Sequence, residues 1–206
     1  KVRNTVIILV VLFSTFLILV FPLPDGGILR NFFSQLYYGK GYTTNNVDEY
    51  GNFEMFNGYS ALSIFPENIQ RDDIEDYYYS YQDIIFDPTA QIYLECNYDS
   101  DTYMKEITRL ENIKVTYKEK VQHIQYDNKE HFNYPAYVTI LAENHCYEYA
   151  LLLGENSIAY IFLQFVPEEE IKFTDKYLPN NYERENDGYS IYLFDNGRGG
   201  KVTDAY

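Results

Sequence analysis

The chain has 206 residues, 46% of them hydrophobic and 18% aromatic, and this composition excludes an intrinsically disordered protein. Its 31 acidic and 16 basic side chains give a formal net charge of −15, and a surface of this sign repels nucleic acid and anionic lipid headgroups. We therefore expect a folded, acidic protein that has no nucleic acid partner.

The first predicted element is a transmembrane helix. Thr5–Phe21 holds no charged side chain and lacks the polar stripe that a soluble helix presents to water. With the next two residues it reaches the length of about 17–20 apolar residues that crosses a bilayer. Lys1 and Arg3 precede it, and basic residues concentrate on the cytoplasmic side of a membrane helix.

These features predict a protein that crosses the cell membrane once. Residues 1–4 would form a cytoplasmic stub, residues 5–23 an uncleaved signal anchor that contacts the membrane, and the rest would lie outside the cell. The alternative is a secretory signal that is removed, which would leave a secreted protein. The apolar run is longer than the roughly 7–15 residues of such signals, and Phe21-Pro22-Leu23-Pro24 offers no small-residue cleavage site.

Residues 24–58 are predicted to form a juxtamembrane helix and a linker. Gly27–Tyr38 places its large apolar residues on one side, which is typical of a short amphipathic helix. Lys40–Tyr59 is rich in glycine and asparagine, and these turn formers indicate a linker or an extended surface loop. The extracytoplasmic domain is therefore expected over residues 59–206.

The predicted domain begins with strands. Tyr59–Phe65 is a candidate first strand that ends at Pro66. Two runs of aromatic and β-branched residues, Tyr77–Phe86 and Ala90–Tyr98, then flank Asp87-Pro88-Thr89, and this pattern indicates a β-hairpin.

One clear helix is predicted, over Asp101–Asn112. Three successive polar residues are candidates for its N-cap: Asp99, Ser100 and Asp101. Tyr103, Ile107 and Leu110 recur at helical spacing on one side, while charged residues occupy the other. A helix with a single apolar side is expected to lie on a sheet.

Further strands are predicted after the helix: Lys114–Tyr126, Tyr134–Ala142, Cys146–Leu153, Ile158–Val166 and Tyr189–Phe194. Ile158–Val166 is apolar on both faces and should be central and covered on both sides. Short connections between neighbouring strands indicate antiparallel pairing. The predicted fold class is therefore α+β, with an N-terminal transmembrane helix followed by a mainly antiparallel β-sheet domain that carries one principal packed helix.

Cys96 and Cys146 are the two cysteines of the chain. An even pair in an oxidising exterior favours a disulfide. Leu94 shares the strand face of Cys96, and Ala150 shares that of Cys146, so both sulfurs are expected to face the core. We predict a Cys96–Cys146 disulfide, and two buried thiols are the alternative.

The sequence contains no catalytic, cofactor-binding or metal-binding motif. Ser60 and Ser190 each follow a Gly-x pair but lack the closing glycine of the G-x-S-x-G nucleophile motif. Asp99-x-Asp101 resembles the start of a calcium loop, yet Met104 stands where that loop needs glycine. No glycine pattern for phosphates or dinucleotides is found. We predict no catalytic residue, no cofactor and no metal.

Tyrosine is the unusual residue of this composition, with 24 copies beside no tryptophan. Its ring and hydroxyl provide contact area at a low cost in side-chain entropy, which suits recognition surfaces. An interaction patch is predicted where tyrosines cluster beside an acidic run: Tyr77, Tyr78, Tyr79 and Tyr81. The alternative is that half of these rings enter the core of a strand, and that the tyrosine content reflects AT-rich codons.

Two functional hypotheses remain. The first is a membrane-anchored extracytoplasmic binding module without catalytic activity, which engages a protein or a cell-wall component through an acidic, aromatic surface. The alternative is a cell-surface hydrolase that uses paired carboxylates. A concave site in which two acidic side chains converge would distinguish the second hypothesis from the first.

Overall fold

The computed structural model describes residues 38–51, 62–84, 89–117, 120–143, 146–180 and 182. The predicted membrane helix, the predicted strand Tyr189–Phe194 and all but the last residue of the predicted juxtamembrane helix lie outside these residues. Within the described ranges, no helix is long and apolar enough to cross a membrane.

The described residues form an antiparallel sheet with a helix on it. The elements are β1 (Tyr38–Thr44), β2 (Ile74–Ile84), β3 (Thr89–Asn97), α1 (Ser100–Asn112), β4 (Lys114–Tyr117), β5 (Lys120–His123), β6 (Gln125–Asp127), β7 (Ala136–Glu143), β8 (Cys146–Gly154) and β9 (Ser157–Gln164). Seven strands make one sheet in the order β1-β2-β3-β9-β8-β7-β6, while β4 and β5 form a separate hairpin. Short 3-10 helices lie in the connections, at Val47–Glu49, Arg71–Asp73, Glu168–Glu170 and Asp175–Tyr177.

This architecture confirms the predicted α+β fold class for the described part of the chain. β2 and β3 form the predicted hairpin, in which Tyr77 lies opposite Leu94. β9 is the central strand of the sheet and pairs with β3 on one side and β8 on the other. Its central position is the one that its apolar residues on both faces predicted.

Helix α1 begins where the sequence predicted an N-cap. The Asp99 carboxylate accepts hydrogen bonds at 2.9 Å from the backbone N–H groups of the second and third helical residues, so these donors are satisfied. Leu110 is fully buried, and Tyr103 and Ile107 pack against the same core. We call the side of the sheet that α1 covers the helix face.

The other side of the sheet, which we call the second face, is covered by loops. Ile161 of β9 is buried on this side, together with apolar residues of β7 and β8. The loop over residues 128–135 adds the buried Phe132, and the segment over residues 165–180 adds Leu178. The sheet is therefore covered on both faces, although the two coverings differ in kind.

Three segments differ from the sequence-based predictions. Tyr38–Thr44, which was expected to comprise the end of the juxtamembrane helix and the start of the linker, forms the edge strand β1 and pairs with β2, so the sheet begins earlier in the chain than residue 59. Of the predicted strand Tyr59–Phe65, residues 59–61 lie outside the described residues; residues 62–65 form no strand, and Leu62 has a positive φ of 53° that interrupts extended backbone. Lys114–Tyr126 divides into the short strands β4, β5 and β6.

Candidate functional site

The four tyrosines predicted to form an interaction patch are divided between two faces of β2. Tyr77, Tyr79 and Tyr81 point into the core on the helix face and are only 2%, 1% and 5% exposed. Tyr78 points to the second face and is half-buried. Successive side chains of a strand alternate between faces, so neighbouring tyrosines cannot share one surface. The predicted patch is therefore wrong, and the alternative that its rings enter the core is the observed one.

The two cysteines face the core as predicted but lie far apart. Cys96 pairs with Ile158 on one side of β9, and Cys146 pairs with Gln164 on its other side, six residues further along that strand. Six residues of a strand span about 20 Å, whereas a disulfide needs Cα atoms within about 7 Å. Both residues are buried thiols, so the predicted disulfide is not formed.

A different arrangement of tyrosines and acids occupies the second face of β2 and β3. Asp76 lies directly opposite Glu95, and Tyr78 lies directly opposite Tyr93. Tyr177 reaches the same place from the C-terminal segment, with its hydroxyl 3.5 Å from Glu95 Oε2. We call these residues the acid–tyrosine face: Asp76, Tyr78, Tyr93, Glu95 and Tyr177.

The two carboxylates of this face form an unfavourable pair. Like charges directly opposite each other on neighbouring strands repel and destabilise a sheet. Asp76 is exposed, and its Oδ1 accepts a hydrogen bond from the N–H of Tyr77 at 2.8 Å. Glu95 is half-buried and accepts hydrogen bonds from the hydroxyls of Tyr93 and Tyr177. These donors stabilise each carboxylate locally but supply no positive charge.

Burial fixes the protonation state of the two hydroxyls that hold Glu95. Burial, followed by the hydrogen bond and the negative charge of Glu95, raises the pKa of Tyr93 far above its ordinary value. Burial, followed by the charge of Glu95, raises the pKa of Tyr177 to about 12. Both tyrosines therefore remain protonated and act as donors across the physiological range.

Aromatic stacking positions the part of the face that the C-terminal segment contributes. The Tyr93 ring stacks on Phe173 with centroids 5.0 Å apart, and on Tyr177 at 6.2 Å. Tyr134 meets Tyr177 edge to face at 5.7 Å. The Gln91 side chain donates a hydrogen bond to the carbonyl oxygen of Glu170 at 3.1 Å and accepts one from the backbone N–H of Lys172. These two bonds fix the C-terminal segment to β3.

This arrangement is suited to recognising a cation. Carboxylates accept charge-assisted hydrogen bonds from guanidinium and ammonium groups. The faces of tyrosine rings attract the same cations through their quadrupole. Half-buried rings beside an exposed carboxylate therefore offer a cation both charge-assisted hydrogen bonds and contact with aromatic faces. This surface lies on the sheet and has no deep cavity among the described residues.

An open pocket of about 240 Å³ lies on the other side of the molecule, beside the 3-10 helix Val47–Glu49. It has two acidic side chains, Asp48 and Glu67, in its wall. Asp48 forms an ion pair with Arg71, and both of these side chains are largely exposed. Its volume is below the range of about 300–1,000 Å³ that is usual for small-molecule sites. This pocket therefore gives no specific support to the hypothesis of a hydrolase that uses paired carboxylates.

Among the residues that the structure describes, no group of three or more potential metal ligands comes together. The acid–tyrosine face supplies two carboxylates rather than three. Its chemistry therefore matches an organic cation better than a metal ion.

Sequence reasoning missed the acid–tyrosine face because the exact register of the hairpin was needed to find it. In the observed hairpin, the paired residues of β2 and β3 are placed symmetrically about a point between residues 85 and 86, so Asp76 lies opposite Glu95. A hairpin whose turn is centred on Pro88, as the sequence predicted, would have placed Asp76 opposite Ser100. The signal that could have found the face is the alternation of Asp76 and Tyr78 on one strand with Tyr93 and Glu95 on the next.

Comparison with known proteins adds no family to these observations. No protein-family model, curated protein or solved structure matches this chain. What the acid–tyrosine face binds must be inferred from its own geometry and charge.

Proposed function

We propose that the protein is a membrane-anchored, extracytoplasmic binding module that holds a basic segment of a partner protein against the acid–tyrosine face. The observation that carries this proposal is the direct opposition of Asp76 and Glu95 on β2 and β3. Two carboxylates in this position repel each other until a cation lies between them. A partner that supplies an arginine or lysine there relieves the repulsion and gains charge-assisted hydrogen bonds.

The aromatic residues around the pair give the cation a second type of contact. Tyr78 and Tyr177 are half-buried, so part of each ring is available for stacking. A guanidinium is planar and stacks on such rings while its edge donates to a carboxylate, which an ammonium does less well. An arginine side chain is therefore the preferred ligand on this surface.

The charge of the whole chain supports the same class of partner. The net charge of −15 attracts a basic protein over a distance and repels acidic surfaces. The apolar run over residues 5–23 supports a tether that keeps the domain at the outer side of the cell membrane. The partner would then be a basic protein segment at the cell surface.

Binding of a short arginine-rich peptide to the full-length protein in detergent tests this proposal. The same peptide with citrulline in place of arginine keeps the shape but removes the charge. Asp76→Asn should weaken binding of the arginine peptide roughly tenfold, because one charge-assisted hydrogen bond is lost. Asp101→Asn, which removes one charge from α1 on the opposite side of the sheet, is the matched control and should change the affinity less than twofold.

Two results would contradict the proposal. Equal loss of binding in the two variants would indicate attraction to the overall charge and no specific site. Equal binding of the arginine and citrulline peptides would exclude cation recognition. Binding only to an amine-bearing wall polymer would show that the same chemistry serves a cell-wall partner in place of a protein.

A further inference from the structure

Glu148 is a fully buried carboxyl group in the middle of the helix face. It lies on β8 between Cys146 and Ala150, which point to the same core. Its Oε1 accepts a hydrogen bond from the backbone N–H of Ile64 at 2.9 Å. Its Oε2 is buried and makes no hydrogen bond with any residue that the structure describes. A buried carboxyl oxygen in this state is rare, because the charged form loses its hydration without compensation.

The backbone of Ile64 is held from two sides. On the sheet, Glu148 accepts a hydrogen bond from the Ile64 N–H, and on α1 the Arg109 guanidinium donates one to the Ile64 carbonyl oxygen. Ile64 and Phe65 are buried in the core at this point. Leu62, two residues earlier, has a φ of 53°, which is a strained conformation for leucine. The segment Leu62–Pro66 is therefore a strained length of chain that the buried Glu148 and the half-buried Arg109 fasten to the core.

The surroundings of Glu148 supply little to balance a negative charge. Arg109 of α1 is the cation that acts on Glu148, and it already pairs with Glu106, with contacts of 2.6 and 2.8 Å. Glu106 in turn accepts from the hydroxyl of Tyr160 on β9, which lies 2.9 Å from that of Tyr98. Burial raises the pKa of both tyrosines above the ordinary value, so both remain neutral at physiological pH.

The described residues of β7 that share this face add groups without a positive charge. From β7, Thr139 supplies a hydroxyl and Tyr137 a phenol whose pKa burial and Glu111 raise. Burial raises the pKa of Glu148 to about 7, against the opposing effects of the Ile64 N–H, Thr139 and Arg109. Glu148 is thus the group in this environment whose charge changes near neutral pH.

We infer that Glu148 acts as a proton-controlled latch on the segment Leu62–Pro66. The neutral carboxyl keeps its carbonyl oxygen on the Ile64 N–H without burying a charge. When its proton is lost to solvent, the carboxylate can be hydrated only if the segment moves away from the core. Opening also breaks the Arg109 bond to Ile64 and releases the strained backbone at Leu62.

The latch is connected to the surface on the far side of the segment. The hydroxyl of Tyr50 donates to the carbonyl oxygen of Pro66 at 2.5 Å. Tyr50 lines the open pocket together with Asp48, Glu67 and Arg71. Opening of the segment would therefore remove one wall of this pocket and change the surface around it.

Hydrogen exchange of the full-length protein between about pH 5 and pH 9 tests the latch. In the wild type, the protection factor of the Ile64 amide, corrected for the intrinsic dependence on pH, should fall by up to about tenfold per pH unit between the ordinary carboxyl pKa of 4.5 and the folded value of about 7. It should level off above pH 7, where the closed and the open states have both lost the proton. In Glu148→Gln, which stays neutral, the protection of this amide should not change with pH. Amides of the central strand β9 should stay protected in both proteins, since only the segment opens.

A second variant keeps the test decisive if Glu148→Gln does not fold. Thr139 lowers the pKa of Glu148, so Thr139→Val should raise it and move the pH at which protection levels off to a higher value. A wild-type protection factor independent of pH would overturn the latch, as would an unchanged pH of levelling off in Thr139→Val. Parallel loss of protection in β9 would show global unfolding and would also overturn it.

Discussion

The carbonyl oxygen of Asn156 accepts a hydrogen bond from the backbone N–H of Tyr98 at 3.1 Å, which ties the turn between β8 and β9 to the end of β3. The Asn156 side chain also donates to the hydroxyl of Ser100 at 3.2 Å, at the first residue of α1. A two-residue turn thus connects the central hairpin to the start of the helix. Its backbone has positive φ at both Glu155 and Asn156, at 52° and 66°, which is the pattern of a type I′ turn.

The first prediction concerns Glu155, which is poorly suited to this conformation. Asparagine and glycine adopt positive φ more readily than glutamate does. Glu155→Asn should therefore raise the free energy of unfolding by roughly 0.5–1 kcal/mol in a denaturant titration. Asn156→Ala is the opposite change and should lower it by about 1 kcal/mol. A loss of stability in Glu155→Asn would contradict the assigned turn.

The second prediction concerns the packing of α1. Leu110 is fully buried between the helix and the sheet, whereas Met104 on the outer side is 60% exposed. Leu110→Ala should cost about 2–5 kcal/mol because it leaves a cavity in the core. Met104→Ala, the matched control, should change the stability by less than about 0.5 kcal/mol. Similar effects of the two substitutions on the denaturation midpoint would contradict the orientation of the helix.

The elements that the sequence predicted well are those that local pattern determines. The spacing of Tyr103, Ile107 and Leu110 marks one helical side, and Asp99 caps the helix by a contact within its own turn. The central place of β9 follows from its apolar residues on both faces. Each of these signals lies within about fifteen residues of sequence.

The features that the sequence could not predict depend on contacts between distant residues. The separation of Cys96 from Cys146 is set by the register of both strands against β9, and a strand face alone does not specify it. The acid–tyrosine face likewise requires the register that places Asp76 opposite Glu95. The burial of Glu148 depends on a segment 84 residues away in the chain.

The third prediction concerns the dependence of stability on pH. The pKa of Glu148 is about 7 in the folded protein, against an ordinary value of 4.5. The folded state therefore binds more protons than the unfolded state between these values, and wild-type stability should fall as the pH rises from 4.5 to 7. The stability of Glu148→Gln relative to the wild type should rise by up to about 3 kcal/mol over this interval. Chemical denaturation at pH 4.5 and pH 8 measures this change, and the groups common to both proteins cancel in the comparison.

A difference between the two proteins that does not depend on pH would contradict the raised pKa. An increase in relative stability toward acidic pH would show the opposite sign, as expected for a carboxylate that favourable charges stabilise. Glu130→Gln serves as the control, since this acidic residue is exposed and its side chain lies outside the core. Its stability relative to the wild type should stay nearly constant with pH.

The fourth prediction concerns topology. We expect residues 5–23 to remain in the mature protein and to anchor it, with the domain outside the cytoplasmic membrane. Protease added to intact protoplasts should digest the domain and leave a small membrane-bound fragment. Complete protection of the chain would reverse the orientation. Full-length domain in the medium, without the apolar segment, would show that the signal is removed.

The last prediction concerns the two thiols. Burial raises the pKa of Cys96 to about 12, so its thiolate is scarcely populated at pH 8, and a thiol reacts with alkylating reagents only as the thiolate. Cys146 is also buried, on the other side of β9. Native protein should therefore take up iodoacetamide far more slowly than protein unfolded in guanidinium. Unfolded protein that has never been reduced should carry two labels by mass spectrometry. A peptide pair that joins Cys96 to Cys146 in that sample would contradict the register of β3 and β8 against β9, because those positions are about 20 Å apart along the sheet.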